Sequence, residues 1–210
     1  MSNESPNLID VLVDRLQTHQ PRNIETDLPD AGILVPVTRN GVNPEIILTR
    51  RAEHLSTHKG QVAFPGGKFD EEDGSTLQTA LRECHEEIGI HPDQVEVVGQ
   101  LSQVVSLHGI RVTPYVGIVD EGLPLTPNPD ELDAVFQVPA SYLQTAEPKR
   151  RDRMTYKGMA LSVPSYDYDY EGQNYEIWGL SAIVLVELLN VAFDYDIHIF
   201  DEPNRLKTDK

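Results

Sequence analysis

The chain has 210 residues, 39% hydrophobic and 24% charged, which fits one globular domain with a sizeable core and excludes a disordered chain. Its 17 Lys and Arg against 34 Asp and Glu give a formal net charge of −17, so the basic footprint needed for nucleic acid or an anionic membrane is missing. One cysteine excludes an intramolecular disulfide; no apolar run reaches the length of about eighteen residues that a membrane span needs. The polar opening MSNESPN carries no signal-peptide core, and the cytoplasm is the expected compartment.

Residues 8–16 (LIDVLVDRL) place apolar side chains at 8, 9, 11, 12, 13 and 16, the pattern of a short amphipathic helix. A polar, proline-containing connector, 20–30, follows it. The expected organisation is therefore a helix and connector over 1–30, a main domain over 31–200 and a polar, fraying tail over 201–210. The β-branched runs 31–38 (AGILVPVT) and 45–50 (EIILTR) flank the turn-rich RNGVNP and predict a hairpin feeding a mixed sheet. The second run ends at Arg50 and Arg51. A loop, 52–60, leads to a short strand, 61–64, and Pro65-Gly66-Gly67 predicts a turn whose glycines allow a backbone to approach a phosphate closely.

A helix is expected next, opened by a capping box of Ser75 and Gln78 and closed by Gly89 in a left-handed cap. Leu77, Leu81, Cys84 and Ile88 recur at i, i+4, i+7 and i+11, an apolar stripe in which Cys84 reads as a small core residue, not a nucleophile. Glu83, Glu86 and Glu87 fall within an arc of about 100° on the opposite face. An ordinary solvated face paired by Arg82 accounts for them in part. Yet Glu83 and Glu87 are like charges at i, i+4 in a chain with few cations to spare, and a hard divalent cation such as Mg²⁺ would reverse that repulsion. Beyond the helix, 95–105 and 110–119 read as strands joined through Ser106-Leu107-His108-Gly109. Asn128-Pro129-Asp130-Glu131-Leu132 then precedes a strand ending Val138-Pro139. Residues 150–170 read as a basic stretch, a strand and an aromatic-acidic loop. Tyr166, Tyr168 and Tyr170 there suit either packing or the stacking of an adenine. A strongly apolar helix, 181–193, closes the pattern.

The stretch 67–90, GKFDEEDGSTLQTALRECHEEIGI, resembles the Nudix box, G-x5-E-x7-R-E-U-x-E-E-x-G-U with U aliphatic. Gly67, Arg82, Glu83, Glu86, Glu87, Gly89 and Ile90 match position by position. Asp73 stands at the first acidic position, separated from Arg82 by eight residues where the motif has seven, and Cys84 fills an aliphatic slot. Immediately upstream, Ile47-Leu48-Thr49-Arg50-Arg51-Ala52 and His58-Lys59-Gly60-Gln61-Val62-Ala63-Phe64-Pro65-Gly66-Gly67 resemble the motif LLTxRSxxLxxHxGxVxFPGG of the coenzyme A pyrophosphatase branch. The phrases around Asn128–Leu132 and Ile177-Trp178-Gly179-Leu180-Ser181 are similar to later segments of that branch.

The resemblance implies an α/β fold, the Nudix α/β/α sandwich, with the box helix on one side of a central mixed sheet and the closing helix on the other. It implies metal-dependent cleavage of the diphosphate of coenzyme A or an acyl-CoA, giving 3′,5′-ADP and 4′-phosphopantetheine or its acyl form. Mg²⁺ or Mn²⁺ would be held by Glu83, Glu86 and Glu87, with Arg82 orienting a glutamate and Glu131 a later carboxylate for metal or water. Arg50, Arg51 and Lys59 are the candidate cations for the 3′-phosphate, beside His58, Gln61, Gly66 and Gly67. A homodimer is implied by the superfamily's habits. Two alternatives stand beside this reading: hydrolysis of another nucleoside diphosphate derivative (ADP-ribose, NADH, a nucleotide sugar), or a non-catalytic Nudix-fold binding module.

Overall fold

The computed structural model describes residues 6–156 and 159–199. Its elements in chain order are α1 (Leu8–Thr18), β1 (Asp30–Thr38), β2 (Glu45–Arg51), β3 (Val62–Ala63), β4 (Gly66–Lys68), α2 (Thr76–Ile88), β5 (Glu96–Gln100), β6 (Val104–Val105), β7 (Arg111–Val119), β8 (Leu132–Pro139), α3 (Ala140–Thr145), β9 (Arg150–Tyr156), β10 (Met159–Tyr170), β11 (Gln173–Ile177) and α4 (Gly179–Phe193). The expected tail 201–210 lies outside the described residues.

Eight strands form one mixed sheet, ordered β3-β2-β1-β7-β5, with β4 pairing β1, β6 pairing β7 and β8 pairing β2. β1 and β7 run parallel, from Asp30 opposite Arg111 to Thr38 opposite Val119; the other pairs are antiparallel. Because side chains alternate along a strand, each central strand feeds two cores. Leu34 and Ile47 meet Ala80, Leu81, Cys84 and Ile88 of α2 on one face. Val35, Val37, Ile46 and Leu48 meet Leu12 and Leu16 of α1 and Val184, Leu185 and Leu188 of α4 on the other. The architecture is the α/β/α sandwich implied by the resemblance, and α1 shares its layer with the closing helix.

Three expectations change. Residues 66–68 form β4 against Ala31–Ile33, not a turn alone, with the Pro65 carbonyl accepting from the Leu34 N–H at 2.9 Å. The run 95–105 breaks at 101–103: the Leu101 N–H still reaches the Pro114 carbonyl of β7 at 2.9 Å, but the next two residues leave the sheet for other partners. The Ser102 N–H donates to the Glu187 carboxylate of α4 at 3.1 Å, and the Gln103 N–H donates to the Arg22 carbonyl of the connector at 2.9 Å. The aromatic-acidic segment is strand β10, the centre of a three-stranded sheet ordered β11-β10-β9, and not a loop. Tyr166 there is buried, and Tyr168 is stacked against Phe136 at a centroid distance of 6.4 Å, so these tyrosines pack the core side of the sheet.

Candidate active site

The position of α2 depends on a bare backbone in β1. A Cβ on Gly32 would stand 1.9 Å from the Thr76 carbonyl oxygen, so the first turn of the helix rests directly on the strand. Ser75 caps that turn by accepting from the Gln78 N–H at 3.2 Å, and Gly89, at φ +80°, ends the helix. The chain enters α2 through a 3₁₀ turn, Glu71–Asp73, itself bracketed by an Asp70–Asp73 capping box and Gly74 in the left-handed region. That turn ends at Asp73 and, with Gly74 reversing the chain after it, aims the Asp73 side chain back at the helix.

Asp73 and Arg82 form a bidentate pair, Nε to Oδ1 at 2.7 Å and Nη2 to Oδ2 at 3.0 Å, and the Thr79 hydroxyl adds a donor at 2.8 Å. These donors hold the Asp73 carboxyl well below the usual carboxylate range. Fixed in this way, Arg82 turns Nη1 to Glu83 at 3.0 Å and to Glu86 at 2.8 Å. The helix face therefore has a cation of its own. The sequence DEEDG carried the signal, a capping box followed by a helix-ending glycine, but nothing local says that Asp73 faces Arg82.

Glu87 lies at the edge of the dry face, 3% exposed, and its Oε2 has no hydrogen-bond partner. Burial first, then the charges of Glu83 and Glu131, push its carboxyl up to about 8; the Gly66 backbone N–H and the Arg51 charge act in the opposite direction. Burial also raises Glu83, reinforced by Glu86 and Glu131 and opposed by Arg82. Glu131 thus belongs to the same electrostatic cluster. Its loop is anchored there: the Asn128 N–H donates to the Glu87 carbonyl, and the Ala52 N–H to the Glu131 carbonyl, each at 2.8 Å. Gly67 approaches from β4 so closely that a Cβ would fall 2.2 Å from Glu83 Oε1. Burial pushes the Cys84 thiol up to about 12, which suits a core residue.

The two adjacent arginines part company. Arg51 acts on Glu87, and its buried Nε has no partner. Arg50 instead pairs with Glu53 and, at 3.6 Å, with Asp133, and its charge is felt by Tyr175. The loop between β2 and β3 closes onto Arg51 through backbone bonds from Gly60 to Arg51 and from Arg51 to Gln61, both 3.0 Å. Within it His58, at φ +55°, bonds Gln61 at 2.8 Å and meets His108 edge-on at 4.7 Å, while Lys59 is exposed. The structure therefore gathers Glu83, Glu87, Glu131, Arg51, Gly66 and Gly67, with Arg82 and the half-exposed Glu86 at the rim. Arg50 is spent on other carboxylates.

Among the described residues, no three His, Cys, Asp or Glu side chains already converge as a metal cage. The donor set nevertheless fits a hard divalent cation, because it consists of carboxylate oxygens that repel one another and includes an orphaned, buried one on Glu87.

A family model described as NUDIX domain matches residues 28–157. A Salmonella typhimurium protein described as uncharacterized Nudix hydrolase NudL is 40% identical over 183 residues, 86% of this chain and 92% of its own length. The Salmonella typhi protein of that description matches to the same extent. Among solved structures, a MutT/nudix family protein from Enterococcus faecalis has a TM-score of 0.51 at 16% identity, covering 89% of this chain and 70% of that one, a likeness of fold.

Proposed function

The chain belongs to the Nudix family of hydrolases, and from that premise we propose that it cleaves the diphosphate bond of coenzyme A or an acyl-CoA. One water adds across the P–O–P linkage, leaving 3′,5′-ADP and 4′-phosphopantetheine or its acyl form. One observation supports the choice of substrate within the family. The segment 47–67, which resembles the coenzyme A branch motif, borders the acidic cluster, through the charge of Arg51 and the backbone N–H of Gly66 at Glu87 and through the bare Cα of Gly67 at Glu83.

Glu83 and Glu87, with Glu86 beside them, would hold Mg²⁺ or Mn²⁺, which when bound neutralises charge on the diphosphate and acidifies a water. Arg82 sets the rotamers of Glu83 and Glu86 and is itself fixed by Asp73, so it is a positioning residue. The free Nε of Arg51 donates to a diphosphate oxygen, and the side-chain-free backbone of Gly66 and Gly67 leaves room for that group. Glu131 is assigned the proton of the attacking water.

The test is a mass-spectrometric assay of the purified protein with coenzyme A and Mg²⁺ in ¹⁸O-labelled water, with ADP-ribose run in parallel. The expected products are 3′,5′-ADP and phosphopantetheine, one of them carrying a single ¹⁸O. Survival of coenzyme A while ADP-ribose is cleaved would overturn the substrate and leave the hydrolase.

A further inference from the structure

A cleft of about 780 Å³ opens beside the acidic helix, lined by Lys68, Phe69, Asp70, Glu72, Glu83 and the Asp73–Arg82 pair. Its size suits one nucleotide. Phe69 is 36% exposed on its rim, while its backbone N–H is tied to the Asp30 carbonyl at 2.9 Å, so the ring is presented from a fixed point at the end of β4. Next to it, among the described residues, the Lys68 ammonium has no hydrogen bond or ion pair, in a chain where Arg15, Arg39, Arg50, Arg82, Arg111, Lys149 and Arg150 all pair with acids. The Glu72 carboxylate is likewise unpaired, whereas Asp70 is occupied in capping the 3₁₀ turn.

These groups are not interchangeable in what they accept. An exposed aromatic ring offers its face to a base. A free carboxylate accepts hydrogen bonds and repels phosphate, so it suits an exocyclic amine; a free ammonium suits phosphate. The tyrosines that offered another stacking platform are turned to the core, and Arg50 is paired, whereas in this cleft ring, acceptor and cation coincide.

We propose that the cleft seats the adenine nucleotide end of the substrate, with the Phe69 ring under the base, Glu72 accepting from its exocyclic amine and Lys68 on its phosphate. The assignment rests on the proposed hydrolase reading, since the cleft shares Glu83 with the acidic cluster and so places the nucleotide beside the diphosphate.

The experiment is a titration of metal-free, ¹⁵N-labelled protein with AMP, followed by the backbone amide spectrum, which also reports whether each variant is folded. Saturable shifts are expected over 68–72. Phe69→Ala is expected to weaken AMP binding about tenfold or more, and Phe69→Trp to restore it. Lys68→Ala weakens AMP but not adenosine. IMP, which presents a carbonyl where AMP has its amine, binds more weakly, and Glu72→Gln narrows that gap. Shifts that cluster elsewhere, an absence of shifts, or wild-type affinity in Phe69→Ala would each overturn the proposal. The two readings fail separately: Phe69-dependent AMP binding without turnover of coenzyme A removes only the coenzyme A substrate. Turnover of coenzyme A by Phe69→Ala at an unchanged KM removes only the cleft.

Discussion

Glu87 carries a charge that the metal-free fold disfavours, and this makes its effect on stability testable apart from catalysis. Its folded carboxyl titrates at about 8, against 4.5 for an unperturbed glutamate. Between those values the native state keeps a proton that the unfolded state has lost, so stability falls as pH rises through that window. The full difference corresponds to a ceiling of about 5 kcal/mol above pH 8. Glu87→Gln, which keeps shape and loses charge, is therefore expected to raise the melting temperature of metal-free protein at pH 8.5 and to leave it unchanged near pH 4.5, while abolishing turnover. Saturating Mg²⁺ should remove most of the advantage by stabilising the wild-type carboxylate. An equal melting temperature at both pH values would show that Glu87 is not buried as a proton-holding acid. Asp73 has the opposite sign. Its carboxyl is held low by Arg82, so its contribution is present above about pH 4 and is lost as pH falls through the folded value. Asp73→Asn is expected to cost about 1–3 kcal/mol at pH 7 and less in acid. By releasing Arg82, it should also lower kcat more than it changes KM.

At the scale of elements, the contact between α2 and β1 is the joint on which the site depends. Gly32→Ala places a methyl against the Thr76 carbonyl, which is backbone and cannot turn aside. The helix would have to shift, at a cost of about 3 kcal/mol or more, read as a lower denaturation midpoint. Gly67→Ala differs, because its clash is with the end of a glutamate side chain. It is expected to leave the midpoint nearly unchanged and to cost activity by displacing Glu83; a normal kcat in this variant would count against Glu83 as a ligand. These elements also show what the sequence could carry. The stripe Leu77, Leu81, Cys84 and Ile88 and the runs 31–38 and 45–50 were legible because each repeats a period several times, and the period names the buried face. β4 was not, since three residues, two of them glycine, have no period. The break at 101–103 was hidden for another reason: its partners, Glu187 and Arg22, lie some eighty residues away in either direction along the chain. Arg50 and Arg51 look alike as a dipeptide. Only the alternation of β2, with Glu53 and Asp133 on one side and Glu87 on the other, separates their roles.

Across the whole molecule, charge and layering pull against each other at the active site. The sandwich buries its apolar residues on both faces of one sheet, with α1 and α4 together on the side away from α2. The excess acid must then lie on the outside and around α2, where a net charge of −17 meets the polyanionic diphosphate substrate proposed above. A field of that sign slows encounter instead of steering it, and the local cations Arg51 and Lys68 act only at short range. Raising monovalent salt from about 20 to 150 mM shortens the Debye length from roughly 20 to 8 Å, which screens the distant acids while leaving contacts within the cleft in place. At a fixed, saturating concentration of free Mg²⁺, kcat/KM for the diphosphate substrate is therefore expected to rise with KCl, by a few-fold, through KM and not kcat. Charge reversal far from the cleft, at Asp120 and Glu121 in the turn after β7, should raise kcat/KM at low salt and flatten its dependence on KCl. A fall with salt in the wild type would mean that the field at the mouth of the site is positive despite the total, and that the cations of segment 47–68 outweigh the rest of the chain.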